Sequence, residues 1–257
     1  MNNTEGTIMN NMFKKISRIA LLGALAYIPS LHAEGSFSVG AGAFIGAQEY
    51  VGSSGKVYPI PFIEYESEQF SVSPLEASYH FFITDDIWID GIAALRLQGI
   101  DETLSDQLKG INERENAIDA GIKLNYFTDY FGHLSMSIMQ DISDVHQGNE
   151  INLSYEYTFE FGDIALSPSL YVNRQNGNLV DYYYGVEAKE SRANRKAYQG
   201  EATFNYGVGL SLSYQFNDAW ALFTMANLTR FGSGIADSPI VENDYAWSSG
   251  LGIVYSF

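Results

Sequence analysis

Large apolar residues alternate with small or polar ones over long stretches of this chain. In the terminal stretch WSSGLGIVYSF, Trp247, Leu251, Ile253, Tyr255 and Phe257 share one parity, with Ser249 the exception. Ala246, Ser248, Gly250, Gly252, Val254 and Ser256 share the other. The same period of two runs through Ile151 to Phe161, Phe204 to Phe216, Ile118 to Tyr126 and Phe37 to Ile45. Such alternation predicts β-strands whose two faces meet different environments. The runs reach about ten residues, beyond the usual five or six of a globular strand.

A soluble sandwich and a membrane barrel both present two such faces. Three features favour the barrel. The apolar face carries Tyr, Phe and Trp near strand ends, where aromatic girdles meet the lipid interface. A leader-like segment opens the chain and cysteine is absent. The last residue is Phe257, with Tyr255 two before it. A terminal strand of this kind is similar to the signal by which bacterial outer-membrane barrels are recognised, which implies the barrel-insertion machinery as a partner. The connections alternate as well. The short ones are Thr84-Asp85-Asp86, Thr128 to Gly132, Gly162-Asp163 and Asn217-Asp218; the long ones are 48–68, 99–113, 142–149, 175–200 and 232–243. Short periplasmic turns and long outer loops are the habit of transmembrane barrels. The expectation is an all-β, antiparallel up-and-down barrel of ten strands, or of twelve if Tyr58–Ser73 forms its own hairpin. A phase slip at Ser73-Pro74 reads as a bulge or a break.

Lys14, Lys15 and Arg18, an apolar stretch Ile19 to Ile28, and Ser30-Leu31-His32-Ala33 follow the order of a secretory signal. Residues 1–33 are expected to be cleaved, leaving 34–257 as the barrel; Met1 or Met12 is the start. Of 14 basic and 31 acidic residues, that cleavage removes three basic and one acidic, which takes the formal charge from −17 to −19. Such a surface excludes nucleic acid, whose phosphates need a basic footprint, and a protein held on anionic lipid from outside. The absence of cysteine excludes disulfides and thiolate metal sites.

Fragments spread along the chain resemble the MipA/OmpV family of Gram-negative outer-membrane proteins. They are Gly40-x-Gly42, Tyr50-x-Gly52-Ser53, Tyr58-Pro59-Ile60-Pro61-Phe62-Ile63-Glu64-Tyr65, Leu108-Lys109-Gly110-Ile111 with Glu113-Arg114, Asp181-Tyr182-Tyr183-Tyr184-Gly185-Val186 with Glu190-Ser191, and Ala236-Asp237-Ser238-Pro239-Ile240-Val241. The resemblance implies an outer-membrane location, contact with outer-membrane lipid, and a scaffold that links a lytic transglycosylase and a penicillin-binding protein in murein synthesis. It supplies no catalytic residues. A small-solute pore or a surface-exposed binding or adhesion protein is the alternative.

The residues themselves favour no enzyme. His80 and His133 lie near the predicted periplasmic turns. His146 stands in an outer loop beside Asp141, Asp144 and Glu150, where carboxylates suit a divalent cation but a solvated acidic loop fits better. No metal, cofactor or catalytic site is expected. By strand parity Asp90, Arg96, Asp119, Lys123, Glu156 and Glu160 point into the barrel, as a cation path or as an ion-paired plug, with the plug favoured. Tyr182, Tyr183 and Tyr184 sit in the longest outer loop beside a charged stretch, and two readings stay open there: a binding surface, or a loop folded back over the mouth. Asp237-Ser238-Pro239 reads as a tight turn. One tension remains: the periplasmic turns are short for a scaffold, against roughly 800 Å² per partner in a standard interface.

Overall fold

The computed structural model describes residues 35–257 except 48, 54 and 55; the expected leader lies outside the described residues. The wall is built from β1 (Ser36–Ala47), β2 (Lys56–Glu66), β3 (Phe70–Val72), β4 (Glu76–Phe82), β5 (Ile87–Arg96), β6 (Ala117–Thr128), β7 (Gly132–Asp141), β8 (Asn149–Glu156, resuming as Phe159–Phe161), β9 (Ile164–Gln175), β10 (Thr203–Gln215), β11 (Trp220–Arg230) and β12 (Tyr245–Ser256). Each strand pairs antiparallel with the next, and β12 returns to β1 with Ile253 opposite Ala41. The result is a closed barrel of twelve strands.

The count settles at the upper end of the expected range because Lys56–Glu66 is a wall strand, so the long connection expected over 48–68 is mostly sheet. The phase slip at Ser73-Pro74 is a break between two strands and not a bulge. The chain reverses there, with the Ser73 amide donating to the Glu76 carbonyl at 2.8 Å. The interruption of β8 has a different cause. Register is identical on both sides of it, Glu156 facing Ser169 and Phe159 facing Leu166. Between them the Tyr157 amide donates to the Pro168 carbonyl at 3.2 Å, and Pro168 has no N–H to return.

The apolar parity of every long strand faces outward. Ile63, Ile122, Leu170, Leu210 and Leu251 are exposed on the barrel's exterior, the arrangement a hydrocarbon surround requires. Rings gather at the end bearing the short turns: Tyr126 and Tyr155 both pack on Phe131, and Tyr255 packs on Trp220 and Phe257. The inward parity is small or polar, with one apolar side. There Phe44 lies over Gly250, and Phe223 over Gly252 and Gly42. A Cβ on Gly250 would run into the Phe44 ring. Gly250→Val is therefore expected to destabilise the barrel by about 1–3 kcal/mol, seen as a lower temperature for the folded-to-unfolded mobility shift on gels.

Buried apolar side chains concentrate above the barrel. Tyr50, Ile100, Leu108, Leu179, Val180, Tyr183, Tyr184, Ile235 and Ile240 form one core drawn from the segments between strands at the long-loop end. Helix α1 (Gly177–Tyr184) begins where the Asn176 side chain accepts the Leu179 amide, an N-cap. It lays Leu179, Val180, Tyr183 and Tyr184 inward. A short helix α2 (Ser233–Ala236) adds Ile235. Outer loops thus fold into a lid with a core of its own.

Candidate functional site: lumen, lid and periplasmic rim

Polar residues on β4 to β9 cross-link the lumen. Arg96 on β5 holds Asp119 of β6 at 2.7 Å and reaches Glu150 of β8 at 3.4 Å. Asp119 also meets His146 Nε2 at 2.9 Å, and Gln175 donates to Glu150 at 2.9 Å. Lower down, Asp90 takes His80 at 2.6 Å and the Asn125 amide at 2.8 Å, and Lys123 pairs with Glu76 at 3.1 Å. Four of the charges placed inward by parity, Asp90, Arg96, Asp119 and Lys123, thus stand in two linked groups. Glu156 is half-buried and Glu160 exposed near the short-turn end, and among the described residues neither joins an ion pair. The partners His146, Gln175 and Glu76 come from other strands and loops. No local sequence signal announces them.

The acidic loop at His146 is organised by its own backbone. The Asp141 carboxylate accepts the Ser143 amide and hydroxyl and the amides of His146 and Gln147. Asp144 and Gln147 take positive φ of 60° and 50° to let the chain turn around it. Asp119, Asp141 and His146 lie close together and buried, yet each already has protein partners. These contacts tie the loop to Arg96 through Asp119.

Tyr183 and Tyr184 are fully buried in the lid, and Tyr182 is half-buried beside them. The Tyr184 hydroxyl donates to Glu49 at 2.7 Å and accepts from Gln98 at 2.7 Å. Ser238 of the Asp237-Ser238-Pro239 turn donates its hydroxyl to the Tyr184 carbonyl at 2.6 Å. Arg114 and Glu190 form a buried pair at 3.1 Å. Arg195 donates to the carbonyls of Gln107, Lys109 and Glu190. A cavity of about 540 Å³ opens on the lid beside Arg114, Asp181, Tyr182, Glu187 and Tyr198.

Two lid carboxylates are shifted in opposite senses. Burial raises the Glu49 carboxyl above its ordinary value of 4.5, more than its hydrogen bonds lower it. Burial also acts on Glu190, but the amides of Asn112 and Glu187 and the Arg114 guanidinium prevail and hold it low. An acid raised on folding penalises the folded lid while ionised, and that penalty vanishes once pH falls below the unfolded value. Glu49→Gln, which still accepts from Tyr184, should therefore slow proteolysis of the lid at neutral pH. The advantage should disappear below about pH 4.5. Limited proteolysis of both forms across pH checks this.

At the opposite end the turns are uniformly acidic. They carry Glu68, Asp85, Asp86, Asp129, Asp163 and Asp218, and no Lys or Arg. Tyr130 stands out from one of them at 94 % exposure, with Phe131 beside it.

A family model described as "MltA-interacting protein MipA" matches residues 39–257. The chain is 29 % identical over 229 residues to the MltA-interacting protein of Escherichia coli (strain K12), covering 88 % of this chain and 92 % of that protein. It is 29 % identical over 227 residues to the outer membrane protein OmpV of Vibrio cholerae, covering 87 % of this chain and 88 % of that protein. Among solved structures, the NanC porin covers 86 % of this chain and 99 % of its own at a TM-score of 0.42 and 11 % identity.

Proposed function

Because the chain belongs to the MltA-interacting protein MipA family, we propose that this outer-membrane barrel is a non-enzymatic anchor for a murein-cleaving lytic transglycosylase. The observation that carries the reading is the periplasmic rim: an exposed Tyr130 among acidic turns, beneath a lumen crossed by ion pairs. A barrel filled and lidded in this way favours holding a partner over passing solutes. Exposed aromatics are the residues that dominate small interfaces, so a few turns acting together suit a compact contact better than their length suggests. The charge of the rim suits a partner with a basic patch. A penicillin-binding protein is the second partner of the same reading. The relative's name, MltA-interacting protein, supports the choice of a lytic transglycosylase.

Cysteines replacing Asp85, Asp163 and Asp218 should crosslink a lytic transglycosylase in living cells. Tyr130→Ala should weaken that capture by about 2 kcal/mol, roughly 30-fold. Crosslinks to no murein enzyme from any of the three positions would remove the proposal.

A further inference from the structure

The ladder that closes the barrel is at its shortest along one strand. β2 pairs with β1 over its whole length, from Lys56 to Glu66. On its other side it pairs with β3 only at Tyr65 and Glu66. β3 is three residues long, and the chain then reverses at Ser73 into β4. Among the described residues no strand pairs with that side of β2 between Val57 and Glu64. The stretch from Val57 to Ile63 spans about 20 Å at ~3.3 Å per residue.

The sequence of β2 suits an open edge. Pro59 and Pro61 face Ala43 and Ala41 of β1. Having no N–H, they occupy positions whose backbone groups point away from β1 in the alternating antiparallel ladder. Val57 and Ile63 share that parity. Two of the four amides that would project into the gap are thereby missing, and prolines belong on strand edges. Pro74 sits at the reversal below. Carbonyls remain on the edge, and backbone at membrane depth is tolerated where it lines a wet cavity.

Its two sides differ in chemistry. Outside, Val57, Pro59, Pro61 and Ile63 are exposed on the lipid face. Inside, Ile60 and Phe62 continue the apolar strip of the lumen, with Phe62 packed on Phe223 at 4.8 Å between ring centroids. Below them stand Glu64 and the Lys123–Glu76 pair. We propose that this gap is a lateral binding site for a single-chain amphiphile from the outer membrane. The alkyl chain lies along Ile60, Phe62 and Phe223. A free glycerol hydroxyl next to the head donates to an edge carbonyl or to Glu64.

The native chain lacks cysteine, so single cysteines can carry a fluorophore in the full-length protein in liposomes. The probe is lysophosphatidylcholine with a nitroxide midway along its chain. A fluorophore at Ile60→Cys should lose at least half as much emission as one at Ile63→Cys, on the lipid face. One at Ser169→Cys, inside the lumen on β9, should lose none. Should Ile60→Cys fail to insert, Tyr58→Cys, two residues along on the same inward parity of β2, serves in its place. Equal and negligible quenching at the seam and at Ser169, with Ile63 quenched normally, would overturn the proposal.

Discussion

Replacing Glu190 with alanine is expected to open the lid while the barrel stays folded. Glu190 is 2 % exposed and Arg114 is 7 % exposed. Their pair is reinforced by the amides of Asn112 at 2.7 Å and Glu187 at 2.8 Å. Removing the carboxylate leaves a guanidinium in the lid core with the carbonyls of Asn112 and Gly185 and the face of Tyr182 but no carboxylate. Breaking one side of a buried pair costs about 3–5 kcal/mol. That is a large fraction of what a lid of this size can hold. The wall keeps its ladders, because no wall strand depends on Glu190. Trypsin added to intact cells should then cut at Arg192 and Lys196 in the variant and spare the parent chain. The heat-dependent gel shift of the barrel should not change. Replacing both partners by leucine should restore much of the protection, since matched apolar groups avoid the stranded charge. Cleavage at the same rate in parent and variant would mean that the pair does not hold the lid.

Arg96→Ala is expected to give a leaky, cation-selective barrel under conditions where the parent chain is predicted to stay closed. Arg96 is the cation shared by Asp119 and Glu150. Without it, Asp119 keeps His146 and Glu150 keeps Gln175, but two carboxylates then face the lumen with no guanidinium between them. Lumen-facing acids favour cations, and the loss of a well-paired buried partner again costs about 3–5 kcal/mol. Arg96→Lys should fall between, because an ammonium supplies the charge without the planar fork that meets two acids at once. Ion selectivity of any current measured in planar bilayers separates this outcome from general unfolding, which would leave no selective pore.

The wall was legible in the sequence because its periodicity is strict. Ile151 to Phe161 reads as one strand, and the structure keeps a single register across the break at Pro168. β3 entered only as the second arm of a Tyr58–Ser73 hairpin in the twelve-strand alternative, because three residues carry too little pattern to separate a strand from a turn. The lid was the least legible part. Its core joins Tyr50, Leu108, Tyr184 and Ile240 from four separate outer segments, and no local period records such contacts. Tyr182, Tyr183 and Tyr184 illustrate the limit. Composition alone suits a binding surface, but helix α1 turns Tyr183 and Tyr184 into the lid core. Local spacing does not reveal which way a loop helix will face until the neighbouring loops are placed around it.

Single-channel recording of the unmodified chain in planar bilayers tests most directly whether lid and lumen network close this barrel. Insertion without steady openings is predicted, in preparations where Arg96→Ala does carry cation current. Sustained, sizeable cation-selective openings from the unmodified chain at rest would contradict it.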